Sequence, residues 1–151
     1  MPTFREDPYP NHSFLIEIGG IIGDPQSVVA GFSEVSGLDI EQGYIGYRNG
    51  NDRRLTKRQV PGLVSFSPIV LRRGVTGTDN LWRWMEQFNE GSGQAQAARI
   101  TLLNEAREAV MSWAVINARP AKLTGPTLDA CANAVAIETL ELSHEGLSLV
   151  D

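Results

Sequence analysis

The sequence predicts a mainly β domain covered on one side by a single helix. Apolar and polar residues alternate over most of its length, and turn residues cut the alternating runs into short segments. One segment alone, "TGTDNLWRWMEQFNEG", follows helical spacing instead. At 151 residues and 42% hydrophobic, the chain is long enough to close one core and too short to expect two. A single domain spanning 1–151 is expected, with an extended loop at about 47–62.

In the first run, "HSFLIEI", Phe14, Ile16 and Ile18 face one way and Glu17 the other. "GGIIGDPQ" then turns the chain. "SVVAGFSEV" and "LDIEQGYIGY" read as strands on either side of Ser36-Gly37, with Gly31 and Gly43 marking bulges or close backbone approaches. Pro61-Gly62 is expected to restart the chain into "LVSFSPIVLRR", where Pro68 points to an edge or a bulge. The helix of about eleven residues follows. Leu81, Trp82, Trp84, Met85 and Phe88 form its apolar side, Thr78 or Asp79 can cap its start, and Gly91 stops it. The last third reads as "AARITLLN", a turn near 105–107, "EAVMSWAVINA", "RPAKL", a turn at Gly125-Pro126, and "ANAVAIETLELSH". In that final run Val135 and Ile137 hold one parity and Leu140 and Leu142 the other. The buried face is expected to switch there, through a bulge or a strand passing from one sheet to a second packed across it.

Catalytic constellations are missing from the sequence. His12 and His144 have no second ligand at metal spacing, no serine lies in a nucleophile elbow, and Cys131 has no base beside it. Glu138 and Glu141, three apart on a strand, point to opposite faces and are read as solvated or interfacial. The glycine-containing stretches lack the pattern of phosphate loops. Neither an enzyme, nor a metal, nor a cofactor is expected. No run is apolar enough for a membrane span or a signal peptide, so the expected product is soluble and cytosolic unless a machine carries it out. Cys131, in "DACANAVA", is expected as a buried structural thiol in a reducing compartment.

The net charge of −5 is segregated. Residues 1–47 hold seven acids against Arg5 alone, residues 123–151 hold five acids and no Lys or Arg, and five of the thirteen basic residues crowd into 48–58. Those five are Arg48, Arg53, Arg54, Lys57 and Arg58. They fit three readings: a solvated hairpin tip, a nucleic-acid-binding module with Tyr44 and Tyr47 as stacking platforms, or an arm that docks on the acidic surface of a neighbouring copy.

Several segments, in order, resemble the inner-tube proteins of contractile phage tails and extracellular contractile injection systems, an Hcp-like family. They are "FLIEIGG", "GFSEVSGLDIE", "YRNGN" with "KRQVPG", "IVLRRGVTGTDNLWRWM" and "INARPAKLTGPTLDACANAVAIETLELSHEGL". The resemblance implies two near-orthogonal packed β-sheets forming a small barrel with one flanking α-helix. It also implies homo-hexameric rings, made in the bacterial cytoplasm, that stack into a tube driven by a contractile sheath in a virion or a released particle. Baseplate, spike and tube-initiator proteins and a tape measure or cargo in the lumen would be its partners, with no membrane insertion by this chain itself. By the same resemblance, Arg48, Arg53, Arg54, Lys57 and Arg58 become inter-ring contacts, with Glu34, Asp39, Glu41, Glu138 and Glu141 as possible acceptors. Leu81, Trp82, Trp84, Met85 and Phe88 become the packing face of the flanking helix. A small enzyme or a cargo-binding protein of Hcp type is the remaining alternative.

Overall fold

The structure, a computed structural model, describes residues 4–19, 32–77 and 79–150. Among the described residues, nine strands and one helix follow in order: β1 (Phe14–Ile18), β2 (Phe32–Ser36), β3 (Glu41–Tyr47), β4 (Arg58–Ser65), β5 (Ile69–Gly74), α1 (Asn80–Asn89), β6 (Gln96–Leu103), β7 (Ala109–Thr124), β8 (Ile137–Ser143) and β9 (Gly146–Val150). Every pairing is antiparallel. One layer runs β1, β6, first half of β7, β9; the other runs second half of β7, β8, β5, β2. The layers share β7 and pack their inner faces together. Ile16, Ile18, Ile100 and Val115 come from one layer and Ile69, Leu71, Leu140 and Leu142 from the other. Each such side chain contributes roughly 1.5–3 kcal/mol by leaving water. The predicted fold class holds, but the barrel stays open because β1 and β2, the ends of the strand path, do not pair.

A strand of 16 residues can serve both layers only if it turns, and it turns at Ile116-Asn117. Ala98 pairs with Val115 while Gln96 pairs with Ala118, so β7 carries one extra residue there. The bulge inverts the inward parity: Val115 is buried before it, and Ala118 and Pro120 after it. Asn117 adopts φ 51°, a left-handed conformation that asparagine tolerates better than most residues. Its amide donates to Glu145 Oε2 at 2.7 Å, Arg119 donates to Glu145 Oε1 at 3.2 Å, and the Glu145 N–H donates to the Ile116 carbonyl at 2.9 Å. Glu145 lies between β8 and β9, where the chain passes from one layer back to the other. One residue therefore fastens both crossings.

The helix follows its pattern. Leu81 and Trp84 are buried, Trp84 meets Phe88 edge-on with centroids 6.2 Å apart, and its Nε1 donates to the Gln94 carbonyl at 3.3 Å. Gly91, at φ 82°, ends α1 in a Schellman motif: Gly91 N–H bonds to Phe88 O and Ser92 N–H to Gln87 O. At the other end Asp79 holds the N-cap position but pairs with Arg83 at 2.8 Å instead of capping, and Asn80 Oδ1 accepts from Leu81 N–H. Thr78 and Gly31, and most of "GGIIGDPQ" and "SVVAG", lie outside the described residues.

Four expectations are corrected. The final strand keeps one buried parity, Glu138, Leu140 and Leu142, because Val135 is exposed in the loop before β8; the switch belongs to β7. Pro61 does not restart the chain but pairs with Tyr44 inside β4, which tolerates a proline because a two-stranded ribbon leaves one side of each strand unpaired. Cys131 is exposed. Glu138 is neither solvated nor interfacial: it lies directly across from Arg73, the two side chains are each 4% exposed, and they form an ion pair. Arg73 also donates to Asn80 Oδ1 at 3.0 Å, so the pair anchors the start of α1 to the sheet. Gly43 does mark a bulge, between Gln42 and Tyr44. Gly37 separates β2 from β3 at φ 88°, where a Cβ would lie 2.2 Å from the Pro68 carbonyl oxygen.

Removing one member of a buried ion pair strands the other charge. Arg73→Met is expected to cost about 3–5 kcal/mol in denaturant unfolding, and Arg73→Met with Glu138→Leu to recover most of that loss. Equal losses in single and double variants would contradict the pairing. The clamp is tested by acid. The hydrogen bond from Asn117 chiefly, with the charge and hydrogen bond of Arg119 acting in the same sense against partial desolvation, holds the Glu145 carboxyl below the usual carboxylate range. A lowered carboxyl stabilises the fold above its unfolded pKa, and that contribution is lost as pH falls through the folded one. Thermal melts over an acid series should show the native chain losing the margin over Glu145→Gln that it holds at neutral pH. Parallel curves would contradict the clamp.

Candidate assembly interface

The β3–β4 ribbon carries the basic segment away from the two layers, and nearly every residue on both of its faces is exposed. Tyr44, Ile45, Tyr47, Val60, Leu63 and Val64 all stand largely in water. A lone two-stranded ribbon is marginal in water, and clustered exposed apolar residues are a general feature of interaction surfaces.

Its tip is nevertheless well ordered by local chemistry. Asp52 N–H donates to the Asn49 carbonyl at 3.1 Å, and Asp52 Oδ2 accepts from Asn49 N–H at 2.9 Å. Arg48 turns inward and donates to the carbonyls of Arg54 at 2.8 Å and Asp52 at 2.9 Å. Arg58 pairs with Asp52 at 3.6 Å. The five candidate cations thus divide by role. Arg48 holds the loop together and Arg58 is half spent on Asp52, whereas the side chains of Arg53, Arg54 and Lys57 make no hydrogen bond or ion pair among the described residues. A tip held in shape before docking loses little entropy when it docks.

The acceptors divide similarly. Glu138 is withdrawn into the core with Arg73 and Glu141 is half-buried, whereas Asp39 and Glu41 are exposed and Glu34 shares Arg72 at 3.5 Å on the surface. On the helix, Leu81 and Trp84 are core residues and Met85 and Phe88 are half-buried, while Trp82 is 41% exposed beside Gly125. Two features escaped the sequence reading. The first is the Arg73–Glu138–Asn80 network, whose only signal was the tandem arginine in "LRRG". The second is a cleft of about 350 Å³ at the open seam between β1 and β2, walled by Phe14, Val35, Leu38, Ile100, Leu102 and Trp113. Among the described residues, no group of three or more His, Cys, Asp or Glu is placed to hold a metal, and no helix is long and apolar enough to cross a membrane.

Two β layers left open at a seam, and a cationic arm on which Arg53, Arg54 and Lys57 make no hydrogen bond or ion pair among the described residues, are features of a structural subunit. The chain belongs to the T4-like virus tail tube protein gp19 family, whose model matches residues 10–148. It is a structural inner-tube protein and not an enzyme, with its place in a phage tail or an extracellular contractile injection particle. Among solved structures, it is similar to a chain of the sheath–tube complex of PVC, an extracellular contractile injection system, in its extended state. Identity there is 31%, the alignment covers 96% of this chain and 93% of that one, and the TM-score is 0.82. A chain of the anti-feeding prophage baseplate matches at 26% identity, 97% of each chain and a TM-score of 0.84. Hcp1 from Flavobacterium johnsoniae, at 12% identity, 90% of this chain, 93% of that one and a TM-score of 0.52, shares the fold alone. No curated protein matches the chain.

Proposed function

We propose that the whole chain acts as one tube domain, six copies of which close into a ring, and that the 48–58 arm holds each ring to the next. The observation that carries this is the arm itself: Arg53, Arg54 and Lys57 are exposed and without an ion pair among the described residues, on a ribbon whose apolar side chains are exposed on both faces. Exposed carboxylates at Glu34, Asp39 and Glu41 on the neighbouring copy receive those cations. Arg48 and Arg58 support the tip from within. Strand edges at β1 and β2 are covered in the ring, which removes the hazard that open edges present.

The relatives support a reading of the machine around the tube. Similar chains occur in a sheath–tube complex, a baseplate and a tube-terminating cap. This chain accordingly fills with its copies the inner tube of a contractile sheath, begins on a baseplate, and conducts a tape measure or cargo through its lumen. Assembly takes place in the bacterial cytoplasm.

Ion pairs between exposed side chains weaken as salt rises. Electron microscopy of the purified protein is expected to show six-fold rings and stacks at low salt, with stacks shortened at high salt. Neutralising Arg53, Arg54 and Lys57 to glutamine should shorten them at low salt too, while leaving the thermal melt of the subunit within about 0.5 kcal/mol of native, because all three are surface groups. Stacks of native length from that variant would refute the arm as the inter-ring contact.

A further inference from the structure

The arm and the seam fit one another. At the tip, Leu55 is 88% exposed and sits between Arg54 and Lys57, an apolar knob among unpaired cations. At the seam, the cleft has apolar walls and one acidic lining residue, Glu34, which shares Arg72 at 3.5 Å. Asp39, exposed, follows the wall residue Leu38 in sequence. Phe14, Val35, Leu38 and Trp113 there are only half-buried, packed against the core on one side and open on the other.

We propose that the cleft between β1 and β2 is the receptor for the arm of a second copy of this chain: Leu55 enters the cleft, and Arg53, Arg54 and Lys57 meet Glu34 and Asp39. This inference rests on the arm holding neighbouring rings together and names where it holds. The two surfaces match in shape and in charge, a knob for a hole and cations for a carboxylate. The occupant must be another copy. The seven residues of β3, at about 3.3 Å each, hold the tip roughly 20 Å from the arm's root, and the root adjoins Leu38 in the wall of the chain's own cleft. A chain cannot fill its own cleft, and a partner filled by the same rule passes the contact on without end.

Crosslinking tests it. In a Cys131→Ser background, Leu55→Cys protein is mixed with Leu38→Cys protein and treated with a short bis-maleimide; a second mixture replaces Leu38→Cys by Glu90→Cys, on the exposed end of the helix. A crosslinked pair from the first mixture, several-fold above the second, is the expected result. No excess over the second mixture overturns the cleft as receptor, whatever assemblies form. Leu55→Ser should also raise the protein concentration needed for stacking at least about tenfold without altering the melt of the subunit, as expected when a leucine no longer leaves water. Stacking that depends on Arg53, Arg54 and Lys57 but not on Leu55 would overturn this inference and leave the arm's role standing. Stacking indifferent to all four would remove both.

Discussion

The bend in β7 is the constraint from which the remaining geometry follows. Hydrogen bonds along one strand must serve two layers whose inner faces oppose each other, so the strand has to reverse its inward parity partway. Without the extra residue at Ile116-Asn117, Ala118 and Pro120 would face water and the second layer would present its polar side to the core. The left-handed backbone of Asn117 supplies the extra residue at small cost, and Glu145 holds it from three directions. Because Glu145 also ends the β8–β9 corner, the bend in β7 and the crossing from β8 to β9 cannot move independently.

A second constraint sits deeper. Arg73 and Glu138 face each other across neighbouring strands in a nearly dry interior, with Asn80 of the helix completing the guanidinium's contacts. An apolar trio of the same shape would pack at least as stably. What the polar trio adds is register. A one-residue slip of β5 on β8 would leave a buried cation facing Thr139 or Ile137, and a shifted helix would leave it short of an acceptor. The root of the arm lies just before β5, so the same register fixes the direction in which the arm leaves the body.

Much of this was legible in the residues. Alternation placed Phe14, Ile16 and Ile18 correctly, Gly43 announced its bulge, and Leu81, Trp84, Phe88 and Gly91 outlined the helix and its stop. Failures came where long-range pairing decides. The inversion at Asn117 leaves no local mark beyond an asparagine that tolerates positive φ, and "WAVINARPAKL" read as two strands because a proline followed the bend. Glu138 looked solvated because its partner lies 65 residues away in sequence. The strand β9 was passed over, although Leu147 and Leu149 alternate as a strand's residues do. As for the interface, the charge cluster was visible but its internal division was not. Only the folded tip shows Arg48 spent on carbonyls and Arg58 on Asp52.

Among the described residues, the ribbon occurs once in each subunit and has no counterpart. A subunit with a single protruding arm is a vector, and a stack of such vectors has a head and a tail. On the proposed arm contact, its two ends are chemically unlike, one showing free arms and the other bare receiving surfaces, so whatever starts the stack cannot also finish it by the same contacts. Growth then has a direction written into the monomer, and a machine that must fire from one end only needs no separate signal to know which end that is.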